Sequence, residues 1–420
     1  MDNAMGRLTI EGGRPLVGAV SSSGAKNAAL PILAACILLD GPTEISNVPS
    51  LMDIKTMLRM LNSLGFRAEY HSGSRVKTWP AKSIKLMAPY DLVTAMRASF
   101  FVAGPILAKK GMAKVPLPGG CAIGSRPIDI HLEGFKKMGA EVSIEHGFVL
   151  LRATELKGAE INLPFPSVGA TENLVMAATL ATGPTVINNA AREPEVYDLC
   201  QFLNAAGAQI TGMGSPSISI TPVRSLTGVT YSVIPDRIEI ATLLMAGLIT
   251  QGDVTVNHVV PDQLEPLLDI LAEMGASIDT HQPNTIRVTA TDPLKPTHIE
   301  TRPFPGFPTD MQAQMMTLLS LVKGTSTVQE KIFENRFMHA DELKRMGANI
   351  RVNGHEAIIE GVSELSGAEV KITDLRAGAA LILAGLAATG YTTIHGLKHL
   401  YRGYENLPEK LRSLGACILD

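Results

Sequence analysis

The chain has 420 residues, 45% of them hydrophobic and 18% charged, with a formal net charge of −3. That length passes the size at which a single core stops growing, so two domains are expected. The charge gives no basis for a nucleic-acid or anionic-membrane partner, and any anion site must be a local cluster of Arg and Lys.

Taken in chain order, the segment from residue 1 to about 22 carries Leu8, Ile10, Leu16 and Val17, all of which call for burial. Buried helices are then expected near 26–38, 94–108, 171–182, 238–250, 311–322 and 376–388, because each is apolar nearly all round rather than on one face. Each stops just before a glycine: Gly41, Gly111, Gly183, Gly252, Gly324 and Gly390. A short strand follows, such as Thr185-Val186-Ile187, then a loop and a second helix. That helix is half-exposed, as the single stripe of Val196, Leu199, Phe202, Leu203 and Ala206 indicates. A second glycine series, Gly65, Gly139, Gly207, Gly275, Gly347 and Gly415, supplies the left-handed residue that ends it. Both series recur at intervals of about 70 residues, too long for the usual solenoids. The pattern predicts an α/β protein of six repeated units, three per domain.

Five units continue past the second glycine into a hairpin, for example EVSIEHGFVLLRA with a turn at His146-Gly147. The sixth ends at Asp420 without a return strand. The N-terminal LTIEGGRPLVGAVSSSGAKN parallels AIIEGVSELSGAEVKITDLR at 357–376, so residues 1 to about 22 are expected to supply that strand and to bridge both halves. An exposed terminal strand is the alternative. One domain would then be 23–234 and the other 235–420 plus 1–22, with the active site in the cleft between them.

The chemically loaded residues fall at matching points of the repeat. Loops after the first strands hold Cys121 with Arg126, Arg192-Glu193, Asp262, Glu334 with Arg336, and Arg402 with Glu405. The starts of the buried helices hold Lys26-Asn27, Arg97, Ser167 to Gly169, Asp236-Arg237, Asp310, and Asp374 with Arg376. Helix N-termini offer unpaired N–H groups and a positive dipole end, which suits phosphates. The set reads either as a functional cleft or as ordinary loop charges and caps. Cys121 lies in a Pro- and Gly-rich loop five residues before Arg126, whose guanidinium would favour a thiolate; it is a candidate reactive thiol or an incidental loop cysteine. Cys36, Cys200 and Cys417 read as packing, and His131 and His339 as structural. Four cysteines make no disulfide framework here and no pair has metal-ligand spacing. No phosphate-binding Gly-x-x-x-x-Gly-Lys-Ser/Thr loop occurs. The opening MDNAMGRLTI has no basic-then-apolar signal region, and the longest apolar stretches are too short to span a bilayer. A cytoplasmic protein with reduced thiols and no metal or cofactor is expected.

Several strings together carry a resemblance: SGAKNAALP from Ser23, PGGCAIGSRPID from Pro118, AAREPE from Ala190, FPTDMQAQ from Phe307, FENRFMH from Phe333 and RGYE from Arg402. They resemble the UDP-N-acetylglucosamine 1-carboxyvinyltransferases, enolpyruvyl transferases that open peptidoglycan synthesis, and the resemblance runs from end to end. It implies two inside-out α/β barrels of three units each, and as substrates phosphoenolpyruvate and UDP-N-acetylglucosamine. By the same resemblance Lys26, Arg126 and Arg402 hold the phosphate and carboxylate of phosphoenolpyruvate. Asn27, Arg97, Arg126, Pro127, Ile128, Asp129, Ile130, Ser167, Val168, Gly169, Asp310 and Ile332 line the UDP-sugar site. Asp310 takes the proton of the sugar 3-hydroxyl, Cys121 is the general acid on a lid, and Arg336, Asp374 and Arg376 support the cleft. Two positions depart from the pattern, Met52 and Phe165, where many or some members carry Lys. The rival readings are the sister transferase acting on shikimate 3-phosphate, and a catalytically silent UDP-sugar-binding paralogue.

Overall fold

The structure is a computed structural model that describes residues 6–118, 128–291 and 293–419. Its described residues fall into two compact units, one of 6–23 with 235–419 and one of 24–118 with 128–234. Each unit carries three small sheets and a set of helices that are buried on every side.

In the 235–419 unit the interior is made by the helices Arg237–Ile249, Gln312–Leu319 and Leu375–Ala387, which pack on one another. Every residue of Arg237–Ile249 is buried, as a sequence apolar all round requires. The second helices behave differently. Glu265–Glu273 buries only Leu267 and Leu271, so its one apolar stripe meets the core and its charged face meets water. The glycines that end the six second helices have φ between 86° and 105°, a backbone region that a side chain would strain. The other glycine series is mixed, since only Gly111, Gly324 and Gly390 have positive φ. Gly252 is required for a different reason: a Cβ there would lie 2.0 Å from the carbonyl oxygen of Leu16.

The N-terminal segment contributes two strands to this unit. Leu8–Glu11 lies between Tyr391–His395 and Cys417–Leu419, antiparallel to both, in the position of a hairpin return strand. Val17–Ser21 runs parallel to Asp253–Asn257 at a sheet edge. Both strands pair within this unit. Leu8, Ile10 and Leu16 are buried as expected, but Val17 is 61% exposed. An edge strand needs only one inward side chain here, and Val20 supplies it.

The 24–234 unit repeats the plan with the helices Lys26–Ala35, Ala103–Lys110 and Val168–Ala178 inside. The expected helix over 94–108 is broken. Tyr90–Ala95 ends at Met96, whose φ of −146° and ψ of 115° are extended, and a 3₁₀ turn Arg97–Val102 begins before Ala103–Lys110. The break has a use, because it puts Arg97 at the first position of a helical turn. The hairpin Glu141–Glu145 to Phe148–Arg152 turns at His146 and Gly147, both with positive φ, the geometry of a two-residue β-turn.

Candidate active site

Asp310 is the centre of the polar network in the 235–419 unit. It sits in the 3₁₀ turn Thr309–Met311 that leads into the buried helix Gln312–Leu319, so its backbone is fixed by core packing while its side chain stays 28% exposed. Arg336 Nη2 donates to Asp310 Oδ1 at 2.7 Å. Arg376 approaches the other oxygen with two donors, Nη2 at 2.9 Å and Nε at 3.2 Å from Oδ2. Burial by itself would raise the Asp310 pKa, but the charges of Arg376 and Arg336 and their hydrogen bonds outweigh it and hold the carboxyl well below the usual carboxylate range.

Both arginines are buried, and each is held from behind. Arg376 opens the helix Leu375–Ala387, whose N-cap Asp374 accepts from the backbone N–H groups of Arg376 and Ala377. Its guanidinium lies over the Tyr404 ring at 5.4 Å, and its Nη1 has no hydrogen-bond partner among the described residues. A buried donor without a partner costs free energy unless a ligand satisfies it, so Nη1 is available to an anionic or carbonyl oxygen. Arg336 also donates from Nη1 to Thr309 Oγ1 at 2.8 Å and stacks against Phe333 at 5.3 Å. Below Asp310, the two N–H groups of Gln314 Nε2 are shared among three acceptors within reach, the Asp310 carbonyl, Thr242 Oγ1 and the Tyr404 hydroxyl, which fixes the floor of the site.

Behind Thr309 lies Glu330, 1% exposed at the end of strand Thr325–Gln329. Its oxygens accept from Thr309 Oγ1 and Thr301 Oγ1, both at 2.8 Å, and from the N–H groups of Ile332 and Phe333 at 2.9 and 3.2 Å. Sequence reasoning picked out Ile332 and missed Glu330, Thr309 and Gln314. A carboxylate closing a strand just before a selected loop was the one signal for Glu330. Thr309 and Gln314 lie in the FPTDMQAQ string, but nothing in it distinguishes them from their neighbours.

In the 24–234 unit, Lys26 is the first residue of its buried helix and is 8% exposed, with Nζ 3.3 Å from Asp53 Oδ2. Asn27 follows it, half-buried. Ser167 caps the helix Val168–Ala178 by accepting from the Ala170 N–H, and Val168 and Gly169 are half-buried at that helix start. Arg97 is half-buried. With burial as the larger cause, its charge lowers the pKa of His131 to about 3, so His131 is neutral. Gly104 N–H donates to Asn173 Oδ1 at 2.8 Å, which fixes the amide so that Asn173 Nδ2 faces His131 Nδ1 at 3.3 Å. Asp129 begins the helix Asp129–Lys137 beside a buried Ile128, and Ile130 is half-buried. Met52 and Phe165, the two departures from the family pattern, are 38% and 41% exposed.

The structure thus brings Asp310, Arg336, Asp374 and Arg376 into one constellation, and places Arg402 in a 3₁₀ turn Leu400–Arg402 of the same unit. Lys26, Asn27, Arg97, Ile128, Asp129, Ile130 and Ser167 to Gly169 belong to the other unit. Cys121, Arg126 and Pro127 lie outside the described residues. The remaining thiols are not activated: burial pushes both Cys36 and Cys200 up to about 12, and a hydrogen bond with Glu11 raises Cys417. Among the described residues no group of three or more His, Cys, Asp or Glu side chains is arranged to hold a metal, and no helix is long and apolar enough to cross a membrane.

A family model described as EPSP synthase (3-phosphoshikimate 1-carboxyvinyltransferase) matches residues 10–411. The UDP-N-acetylglucosamine 1-carboxyvinyltransferase 2 of Carboxydothermus hydrogenoformans is 53% identical over 415 residues, covering 99% of each chain. The UDP-N-acetylglucosamine 1-carboxyvinyltransferase of Gloeobacter violaceus is 52% identical over 411 residues, 98% of this chain and 90% of that one. Among solved structures, the enolpyruvyl transferase NikO from Streptomyces tendae superposes with a TM-score of 0.89 at 26% identity, covering 98% of both chains. EPSP synthase from Acinetobacter baumannii gives 0.78 at 20% identity over 99% of this chain and 100% of that one, a likeness of fold alone.

Proposed function

This chain belongs to the enolpyruvyl transferase family that EPSP synthase represents, and from that premise we propose that it transfers the enolpyruvyl group of phosphoenolpyruvate to the 3-hydroxyl of UDP-N-acetylglucosamine, releasing phosphate. The choice of acceptor is carried by one observation: relatives 49–53% identical over 98–99% of this chain all bear the name of that transferase. The reaction is the first committed step of peptidoglycan synthesis and takes place in the cytoplasm.

Cys121 gives a proton to C3 of phosphoenolpyruvate, which leaves C2 electron-poor beside the phosphate ester oxygen. The sugar 3-hydroxyl oxygen bonds to C2, and its proton passes to Asp310. C3 then gives a proton back to the Cys121 thiolate, the bond from C2 to the phosphate oxygen breaks with its electron pair leaving on phosphate, and phosphate takes up the proton held by Asp310. Lys26, Arg126 and Arg402 hold the phosphate and carboxylate, and cations outnumber acids because negative charge concentrates on the leaving group. A carboxylate held as weakly basic as Asp310 suits the second step. The hydroxyl becomes strongly acidic only as its oxygen bonds to C2, so the proton needs a fixed acceptor more than a strong one. Asn27, Arg97, Ile128 to Ile130, Ser167 to Gly169 and Ile332 line the UDP-sugar, with Arg97 and the capped helix start at Ser167 suited to the diphosphate.

The test is phosphate release from phosphoenolpyruvate with either acceptor. Release is expected with UDP-N-acetylglucosamine and none with shikimate 3-phosphate. Release that requires shikimate 3-phosphate would move the chain to the sister activity, and release with neither would leave a silent paralogue. A second check concerns Cys121: replacing it by Asp keeps activity with a pH optimum shifted towards acid, and replacing it by Ser abolishes activity.

A further inference from the structure

We propose that Glu330 and Thr309 are positioning residues for this transfer: Glu330, acting through the Thr309 hydroxyl, holds Arg336 on Asp310, and the same carboxylate fixes the turn that carries Ile332. This rests on the reading of Asp310 as the proton acceptor.

The direction of the relay is fixed by proton count. A threonine hydroxyl has one proton to give. Thr309 Oγ1 lies 2.8 Å from Glu330 Oε2, which can only accept, so the proton points there and the oxygen lone pairs face Arg336 Nη1 at 2.8 Å. Arg336 then spends Nη2 on Asp310 Oδ1 at 2.7 Å. Glu330 Oε1 meanwhile accepts from Thr301 Oγ1 and from the N–H groups of Ile332 and Phe333, so one buried carboxylate ties three segments together. Thr301 is bound in the same sense, giving its proton to Glu330 and accepting from the Lys331 N–H at 2.9 Å.

The two arginines on Asp310 are therefore held differently. Arg376 grips Oδ2 with two donors, lies in the first turn of a buried helix and rests on the Tyr404 ring, so its place does not depend on the Thr309 hydroxyl. Arg336 stands in a loop, and its grip on Oδ1 is a single hydrogen bond. Without the Thr309 hydroxyl it keeps, among the described residues, only that bond and the Phe333 ring, and a long side chain so held gains rotamer freedom. The relay thus decides whether the carboxylate of Asp310 is presented in one orientation.

The test compares Thr309→Val, which keeps the shape and loses the hydroxyl, with Thr309→Ser, which keeps the hydroxyl. In the phosphate-release assay Thr309→Val is expected to lose about 10- to 100-fold in kcat, the scale of a hydrogen bond to a charged group. The acid limb of its kcat profile should also move upward in pH, because Arg336 no longer steadies the Asp310 anion. Thr309→Ser should restore both. Glu330→Gln should resemble Thr309→Val, and the double variant should be no worse than the poorer single one, since both cut the same relay. Wild-type kcat and acid limb in Thr309→Val, or equal impairment in Thr309→Ser, would overturn the proposal. If Glu330→Gln does not fold, the Thr309 pair decides alone. Should the wild-type protein release no phosphate with the UDP-sugar, the functional reading fails. The relay is then judged by the ¹³C carboxyl titration of Asp310, which Thr309→Val must shift and Thr309→Ser must leave in place.

Discussion

Asp310, half-buried just before an inner helix of one unit, and Glu172, buried within an inner helix of the other, are carboxyl groups that carry opposite perturbations. Asp310 meets two guanidinium groups and is held well below the usual range. Glu172, in the middle of Val168–Ala178, is 1% exposed, and neither of its oxygens has a hydrogen-bond partner among the described residues. Burial raises it well above its ordinary value, and the neighbouring charges of Glu195 and Glu193 add to the rise. Burial acts in the same direction on both groups, so the neighbours decide the outcome. The first group stays an anion and can do chemistry. The second is driven towards its protonated form.

The largest expected effect is on Asp310. Asp310→Asn should lower phosphate release by about 10²- to 10⁴-fold, the usual worth of a proton-transfer group. It should also lower the thermal midpoint, because Arg336 and Arg376 would be buried without a counter-charge, a loss of about 3–5 kcal/mol in comparable cases. A variant of unchanged stability would show that the arginines are not what distinguishes the site.

Next in size is a packing loss with no charge involved. Ile10 is fully buried in the strand that closes the sheet between Tyr391–His395 and Cys417–Leu419. Ile10→Ala should cost about 2–5 kcal/mol in chemical denaturation while kcat per folded molecule stays the same. A fall in kcat would mean that the Asp310 effects cannot be separated from packing in that unit.

The pH dependence is smaller and has a definite sign. Asp198, beside Glu195 and hydrogen-bonded by Tyr231, is raised by burial from 3.8 to about 6. A carboxyl with a higher pKa folded than unfolded binds more protons in the native state. Its contribution is therefore full below pH 3.8 and is lost as pH rises through about 6. Glu172 has the same sign, and Asp310 the reverse, its contribution being lost only as pH falls through its depressed value. Melting curves of Asp198→Asn should show a shallower decline than wild type between about pH 4 and pH 6. A parallel decline would remove Asp198 as a cause.

The smallest effect should have the opposite sign to the first. Glu172→Gln keeps the shape and removes a group that resists ionisation beside two other carboxyls, so at pH 8 its thermal midpoint should equal or exceed that of wild type. A clear drop would show that Glu172 makes an interaction its amide cannot copy.

Much of this contrast could be read from the chain, because helix starts are local features. A run apolar on all sides for three turns has to be buried, and a polar residue just before such a run can cap it; hence Asp374, Asp236 and Ser167 were found by position as caps, and Asp310 by position alone in the turn that leads into its helix. The six left-handed glycines and the return strand at Leu8–Glu11 were legible for the same reason, since backbone conformation and side-chain alternation follow short-range rules. Tertiary structure alone decided the rest. It broke the helix over 94–108 at Met96, left Val17 exposed at a sheet edge, and set Thr309 against Glu330 and against Arg336 across separations of 21 and 27 residues. Hydrogen bonds between side chains so far apart depend on how whole elements pack, and no local pattern encodes that distance. The charge a buried carboxyl carries is settled in the same way, by neighbours that only the fold supplies.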